Sequence, residues 1–376
     1  MLRRVKRAAL RRIFRYAILF RFLPGLLLAA APLQPRQTSD NIVSEHVRFR
    51  LPVEREWIGR DTIADMERCW QFTDRALDGK LPRRVLIVVS WGQGRGWTRA
   101  AESTIFVGMD DPAAVSDPKA YLAHQAAREM ARLGLLELSG GGAAREENQW
   151  LIEGMAEIMA REFRGRARAF DAAWVYSSLL DRMGRLSLES LGSWKAFSGG
   201  RRDFYAAAPG ATFLLTCRQA HGREGLVKLF EALRKQDAAA AMSSAFRRPA
   251  AALEQIWLRK VRENEAARDV TVTSDADSPA LVVPPATEVR PGAGLRIRLF
   301  IEDGGANLGA RGVFLADLQS ARVFSVRDET FEGRRVFVAD LPQDSGAAAG
   351  KTSLRVTALD ESGNVRHWEH QVAIAP

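Results

Sequence analysis

The chain has 376 residues, of which 47% are apolar and 27% charged, and its formal net charge is +10. This composition excludes a wholly disordered protein, and the length suffices for two ordinary domains. Eight basic and no acidic residues lie within residues 1–31, which leaves +2 for the remainder. The body of the chain therefore has no excess charge for general binding to nucleic-acid phosphates.

Residues 1–31 have the layout of an export signal. A basic stretch precedes the apolar run Phe22–Ala31, which ends in small residues. That run is too short to span a bilayer by itself. We expect either cleavage after Ala30 or an uncleaved N-terminal anchor over Tyr16–Leu33, in which Arg21 reaches the headgroups. Both alternatives predict a periplasmic or otherwise extracytoplasmic protein, the second with anchoring to the inner membrane.

The first half of the mature chain predicts a small sheet followed by helices. Alternating and continuous apolar runs predict strands over residues 46–53, 85–89 and 104–107, and helical spacing predicts helices over 62–77, 121–136 and 149–163. Glycines and charged residues predict a loop over 139–147. The pattern stays helical from 167 to 264, with breaks expected at Gly199-Gly200, Pro209-Gly210 and Gly222.

The character of the sequence changes near residue 266. Residues 266–286 are polar and contain Pro284-Pro285, which predicts a linker. Beyond it, short alternating stretches with Gly, Asp and Asn turns predict a small β-sandwich over residues 287–376. Ser362–Asn364 is expected to be one of these turns. No internal repeat is present.

Only two cysteines occur, Cys69 and Cys217, both in apolar, helix-like contexts. They could form a disulfide in an oxidising compartment or remain as buried thiols. Neither has a CxxC partner, so the sequence predicts no metal or redox role for them.

One pattern in the helical region carries chemistry. Zinc peptidases of the HExxH type place two histidines four residues apart on one helix, where both reach one metal ion, and the intervening Glu activates the bound water. The segment Trp150-Leu151-Ile152-Glu153-Gly154-Met155-Ala156-Glu157 fits the W-L-x-E-G-x-A-E sequence that carries the third ligand. The upstream segment Tyr121–Arg128 lies where such a protein has L-A-H-E-x-x-H.

On these residues the chain resembles the peptidase MA-like, or gluzincin, superfamily over residues 46–265. Residues 205–211 and 253–257 are similar to the family's helix after the site and to its closing helix. The resemblance implies a domain in which a small sheet precedes mostly helices. It implies that His124 matches the first zinc ligand and Glu153 the third. Tyr205 either corresponds to an oxyanion-stabilising tyrosine or is an interfacial aromatic.

Two departures from the family pattern remove the chemistry. Gln125 replaces the catalytic base and cannot take up a proton near neutral pH, and Arg128 replaces the second ligand and offers no lone pair to a metal. We therefore predict no cofactor, zinc included, and no zinc-dependent catalysis. The vestigial site comprises His124, Gln125, Arg128, Glu153, Glu157 and Tyr205. Without zinc, Glu153 would be buried and unpaired, so we expect Arg128 to form a salt bridge with Glu153 or Glu157.

The C-terminal segment Ala358–Asn364 resembles the A-x-D-x-x-G-N ending of bacterial immunoglobulin-like domains. The expected fold class is thus α+β, a gluzincin-like domain joined to an all-β immunoglobulin-like sandwich. We expect a non-catalytic, peptidase-like module that binds a protein or peptide partner or assists assembly in the cell envelope, with Thr104–Val107 as an edge strand for the partner.

Two alternatives stay open: a structural envelope protein with a filled cleft, and an active hydrolase that uses other residues such as His124, Glu153 and Glu157.

Overall fold

The structure is a computed structural model, and it describes residues 38–91, 97–110, 114–115, 117–165, 170–199, 203–266, 280–290, 294–302, 308, 310–318, 322–341, 350–360 and 365–374. The chain divides into two compact units, residues 1–38 and 39–376. The first unit, with the expected export signal, lies outside the described residues except for Thr38. No helix within the described ranges is long and apolar enough to cross a membrane.

The second unit begins with a five-stranded sheet in the order β1-β2-β3-β5-β4. The strands are β1 (Thr38–Ser39), β2 (Val47–Pro52), β3 (Val85–Ser90), β4 (Trp97–Arg99) and β5 (Thr104–Gly108). The apolar run of β3 places this strand in the middle, parallel to both β2 and β5. Helices α1 (Glu56–Ala76) and α2 (Pro118–Leu138) share a hydrophobic core with the sheet. The predicted strands and both helices are confirmed.

The expected edge strand was wrong. Thr104–Val107 lies inside the sheet, since β4 pairs antiparallel with residues 104–106 of β5. The edge of the sheet is therefore β4. A strand of three residues leaves too little alternation for sequence reasoning to detect it.

The sheet is followed by a helical body. Its helices are α2, α3 (Gln149–Arg164), α4 (Asp171–Arg182), α5 (Leu188–Gly192), α6 (Trp194–Ser198), α7 (Phe204–Ala232), α8 (Ala238–Phe246) and α9 (Ala250–Ala266). Helix α2 begins where the Asp117 carboxylate accepts a hydrogen bond from the Ala120 amide at 2.9 Å. Two short 3₁₀ turns, over 142–144 and 146–148, then reverse the chain so that α3 packs against α2. The predicted loop is thus a compact reversal.

Helix α7 runs through Pro209-Gly210, where a break was expected. Gly210 lies against α3 so closely that an added Cβ would come within 2.2 Å of the Trp150 carbonyl oxygen, and one on Gly154 within 2.4 Å of the Gly210 carbonyl carbon. Tertiary contact between the two backbones thus outweighs the local cost of Pro and Gly in a helix. The other two breaks are present: α6 ends at Gly199, and α7 kinks at Gly222, where φ is 67°.

The remaining strands form two four-stranded antiparallel sheets, β10-β11-β7-β6 and β13-β12-β8-β9. They are β6 (Ala280–Arg290), β7 (Gly294–Glu302), β8 (Val313–Asp317), β9 (Val323–Ser325), β10 (Arg327–Phe331), β11 (Arg334–Leu341), β12 (Gly350–Leu359) and β13 (Val365–Ile374). Both sheets contribute to one core, for example through Ile297, Phe337 and Val356. The predicted mixed α+β class with a β-sandwich is confirmed. The turn expected at 362–364 lies outside the described residues.

The predicted linker, residues 266–286, is too long at its C-terminal end. Strand β6 begins at Ala280 and includes Pro284-Pro285. This is possible because β6 is the edge strand of its sheet and its pairing with β7 is irregular between Leu281 and Ala286. An edge strand tolerates residues without an amide hydrogen.

The β-sandwich packs against the helices through its second sheet. Phe314, Leu359 and Val365 belong to the same hydrophobic cluster as the helical body. Arg311, just before β8, donates to the Ser198 carbonyl at 3.2 Å and lies 3.3 Å from the Asp203 carboxylate. The two parts of the chain therefore share a core and an ion pair.

Cys69 and Cys217 are both buried and are not joined by a disulfide. Burial raises the pKa of each thiol to about 12. The structure thus corresponds to the buried-thiol alternative.

Candidate functional site

Two helices bring the predicted site residues together. On α2, His124, Arg128 and Arg132 follow each other at intervals of four residues and share one face, and on α3 Glu153, Glu157 and Arg161 do the same. Because a tight reversal joins the helices, the two rows face each other in antiparallel order. His124 Nε2 lies 3.9 Å from Glu157, whereas Arg132 bonds Glu153.

Arg128 bridges both carboxylates of α3. Its Nη2 donates to Glu153 Oε2 at 3.4 Å, and its Nε lies 3.2 Å from Glu157 Oε2. The predicted salt bridge is confirmed. Arg128 makes one contact with each glutamate and not a bidentate contact with one of them.

Three residues that sequence reasoning missed complete the cluster. Arg132 donates to both Glu153 and Glu129, and Arg161 Nε donates to Glu157 Oε1 at 2.5 Å. Within the described part of the chain, three arginines thus face three glutamates, and these six charges balance. The signal was available: Arg132 and Arg161 continue the two rows by one further interval of four.

The cluster is buried. Glu153 is 0% exposed, Glu157 1% and Arg128 4%, and Arg132 and Arg161 are buried as well. Buried charges need partners, because desolvation without them is costly. We call this set of residues, Arg128, Glu129, Arg132, Glu153, Glu157 and Arg161, the charge ladder.

Burial and pairing shift the acid–base properties of the ladder in opposite directions. Burial by itself would raise the pKa of Glu157, but Arg161 and Arg128 lower it to about 2. For Glu129, burial prevails over the attraction of Arg132, and the pKa is raised. Burial favours the neutral form of Arg132, yet Glu129 and Glu153 raise its pKa further above its usual value. Glu157 is consequently ionised at neutral pH.

His124 is neutral. Its side chain is 17% exposed, and burial of the remainder lowers its pKa to about 3, against the attraction of Glu157. Neighbouring Gln125 is half-buried on the same helix. The imidazole of His124 and the amide of Gln125 do not supply the two histidine ligands and the carboxylate base that an HExxH zinc site uses.

The donor set does not fit zinc. A metal at this position needs a ligand where Arg128 presents a guanidinium, and it needs Glu153, whose Oε2 contacts Arg128 and Arg132. Among the described residues, the three side chains that could together hold a cation are Glu45, His46 and Glu67, none of which belongs to the predicted site. The expectation of no zinc cofactor therefore stays a prediction with a chemical reason.

Tyr205 lies at the junction with the β-sandwich. Its hydroxyl donates to the Leu359 carbonyl at 2.6 Å, and the ring is buried against Tyr176 and Phe204. These contacts correspond to the interfacial alternative for Tyr205. Phe204 in turn lies under Arg161, with the guanidinium carbon 4.8 Å from the ring centroid. Arg161 of the charge ladder is thus connected to the sandwich through Phe204 and Tyr205.

Comparison with known proteins assigns no family. No family model and no curated protein match the sequence. The structure is similar to an aminopeptidase N family protein from Idiomarina loihiensis, with a TM-score of 0.45 and 9% identity over 89% of this chain and 66% of that one. It also aligns with the S-layer protein rSbsC, with a TM-score of 0.17 and 10% identity over 84% and 46% of the two chains. It aligns as well with the N-terminal part of the bacterial S-layer protein SbsC, with a TM-score of 0.17 and 12% identity over 83% of this chain and 79% of that one.

Proposed function

We propose that this chain is a zinc-peptidase-like protein without catalytic activity, and that it works in the cell envelope as a protein- or peptide-binding or assembly module. The observation that carries the proposal is the charge ladder. Arg128 stands where a second zinc ligand would be, and it contacts the carboxylates that a metal would need. The fold type of the two parts, gluzincin-like and immunoglobulin-like, belongs to the same proposal and rests on the sequence motifs.

The charge ladder also argues against the alternative of an active hydrolase that uses His124, Glu153 and Glu157. A general base needs a proton-accepting group at the working pH. Glu157 is held ionised by two arginines and has a pKa of about 2, so it is a poor base. Gln125, at the position next to His124 where a peptidase of this type has its base, carries an amide that transfers no proton. Both point to binding rather than bond cleavage.

A binding role falls to the rim of the site. Glu153 and Glu157 are buried, so a partner cannot touch them while the helices stay packed. Half-buried His124 and Gln125 remain accessible, and β4 ends the sheet order. An extended partner segment can add to such an edge through backbone hydrogen bonds.

The same burial favours a second candidate function. If the charge ladder merely fills the former cleft, the chain is a structural envelope protein whose surfaces of interaction lie elsewhere. The two candidates differ in whether a partner contacts the residues around Gln125.

Site-specific photo-crosslinking separates them. A photoreactive residue at Gln125 is expected to capture one defined envelope protein or peptide. The matched control is Lys235, exposed beside Arg234, whose Nε donates to the Leu138 carbonyl at 2.9 Å. Leu138 lies 14 residues along α2 from His124, or about 21 Å along the helix axis.

Capture at Gln125 but not at Lys235 supports the binding module, and capture at neither supports the structural alternative. Cleavage of a peptide library by the purified protein, lost on Glu157→Gln, would contradict both non-catalytic functions.

A further inference from the structure

Three side chains that the proposed function does not use meet where β2 begins and α1 packs against it. Glu45 and His46 lie directly before β2, and Glu67 lies on α1. One nitrogen or oxygen atom from each side chain lies within 4.8 Å of the other two, a spacing that suits ligands of a single metal ion. None of the three belongs to the charge ladder, so the group is independent of the proposed function.

The imidazole of His46 is held in one orientation. Its ring stacks on the indole of Trp70, with the ring centroids 3.7 Å apart and the planes inclined by 11°. Trp70 is itself fixed, because its Nε1 donates to the Pro82 carbonyl at 3.0 Å. At one edge of the ring, His46 Nδ1 lies 2.5 Å from Glu67 Oε1. A side chain that is oriented in advance loses little freedom when it binds a ligand.

Glu67 determines which ring nitrogen is available. Burial by itself would raise the pKa of Glu67, but hydrogen bonds from Ser44 and His46 lower it, so the carboxylate is ionised at neutral pH. An ionised carboxylate only accepts hydrogen bonds, so Nδ1 of His46 carries the hydrogen and donates it to Glu67. In the neutral imidazole the free lone pair is then on Nε2. Histidines that bind metals typically donate their other ring nitrogen to a carboxylate in this way.

The second ring nitrogen of His46 faces Glu45. Glu45 Oε1 lies 3.8 Å from His46 Nε2, which is too far for a hydrogen bond, so the lone pair of Nε2 is not engaged there. Adjacent ligand atoms at about 2.0–2.2 Å from one metal ion are about 3–3.5 Å apart. The Glu45 side chain is 80% exposed, so a small rotation brings its carboxylate into that range. The two residues thus offer one nitrogen and one oxygen ligand and leave the other positions to water.

This donor set discriminates between metal ions. Mg²⁺ and Ca²⁺ prefer oxygen ligands alone, whereas an imidazole suits copper, nickel and zinc, and among these the affinity of a given site is highest for Cu²⁺. Zinc sites use three or four protein ligands, so a site with two should lose zinc on dialysis. We propose that Glu45 and His46 bind a Cu²⁺ ion through a carboxylate oxygen and Nε2, and that Glu67 is a positioning residue behind the imidazole.

Titration of the metal-free full chain with copper(II) chloride, followed by calorimetry and by tryptophan fluorescence, tests the proposal. We expect saturable binding, with quenching of Trp70 because its ring stacks on the ligand His46. His46→Asn should abolish both signals. Glu67→Gln should weaken binding about tenfold or more, the usual effect of changing the carboxylate behind a histidine ligand, and Glu45→Gln should weaken it at least as much. Zn²⁺ should bind about tenfold more weakly than Cu²⁺, or weaker still.

Two further variants separate binding at this site from binding elsewhere. Trp70→Phe keeps an aromatic ring against His46, so the affinity should stay and most of the quenching should disappear. His221→Asn is the matched control, because His221 is also half-buried against an aromatic ring, that of Phe246 at 5.0 Å, and does not belong to this group of ligands. It should leave the affinity for Cu²⁺ unchanged.

Circular dichroism of each variant shows whether it folds. If His46→Asn fails to fold, Glu45→Gln decides, because that change concerns a side chain that is 80% exposed. The proposal is overturned if Cu²⁺ gives no saturable binding, or if folded His46→Asn and Glu45→Gln bind it as tightly as wild type. It is equally overturned if His221→Asn weakens binding as much as His46→Asn, or if Zn²⁺ binds as tightly as Cu²⁺.

Discussion

Replacing Arg128 by Met tests the charge ladder most directly. The change keeps a long apolar stem and removes the guanidinium that bridges Glu153 and Glu157. Breaking a buried ion pair typically costs about 3–5 kcal/mol, because one charge is left buried without its partner. Here Glu153 keeps Arg132 and Glu157 keeps Arg161. We therefore expect the lower end of that range, about 3 kcal/mol.

A double-mutant cycle isolates the interaction. Glu153→Gln removes the opposite charge, so Arg128→Met with Glu153→Gln restores the balance of the ladder. The pair should cost less than the sum of the single changes, with a coupling of about 0.5–3 kcal/mol. In addition, Glu129 already has a raised pKa and can take up a proton to offset the lost positive charge. The deficit of Arg128→Met should therefore shrink as the pH is lowered from about 7 to about 5.

Urea unfolding followed by circular dichroism measures these differences as shifts in midpoint at constant slope. Arg262→Met is the matched control: its side chain is 63% exposed and paired with Asp181, so the loss should stay below about 1 kcal/mol. An unchanged midpoint for Arg128→Met, or single changes that simply add, would refute the role assigned to the ladder.

The remaining predictions concern acid stability, zinc and helix packing. Wild type should lose stability as the pH falls below about 6.5, because His124 binds a proton in the unfolded chain but has a pKa of about 3 when folded; His124→Gln should flatten the urea midpoint over that range. Metal analysis should find no stoichiometric zinc in wild type. Gln125→Glu with Arg128→His should also fail to bind zinc tightly, whereas adding Arg132→Met should yield about one zinc per chain. Gly154→Ala should lower the free energy of unfolding by about 1–3 kcal/mol or more, since its Cβ meets the backbone of α7 at 2.4 Å.

Each of these has a clear contrary result. Identical pH profiles for wild type and His124→Gln would assign the acid sensitivity to other groups. Tight zinc binding by wild type would contradict the loss of the metal site. The control for the helix contact is Gly192→Ala, where an added Cβ meets no atom within 4 Å. Equal destabilisation by both glycine changes would contradict the close approach of α3 and α7.

Much of the local structure was determined by the sequence itself. The continuous apolar run of β3 and the helical spacing of α2 and α3 each predicted an element that the structure contains. The period of the hydrophobic residues and the capping residues act over one or two turns of a helix, so both can be recognised in a single sequence. Local spacing also predicted the loss of zinc-dependent catalysis, because Gln125 and Arg128 lie one and four residues after His124, where the HExxH pattern has its base and second ligand. It also predicted the ion pair of Arg128, because a buried carboxylate without metal needs a positive partner.

Only the tertiary structure decided which residues complete the ladder and where the sandwich lies. The spacing of four places Arg132 and Arg161 in the two rows, but it does not show that they are buried and paired; that follows from the packing of α2 and α3 with these faces together. Pro209-Gly210 suggests a break locally but continues a helix, because Gly210 permits the backbone of α7 to meet that of α3. Tyr205 finds its acceptor at Leu359, 154 residues away in the chain. Such contacts depend on the packing of distant segments, and no local pattern records which segment a residue will meet.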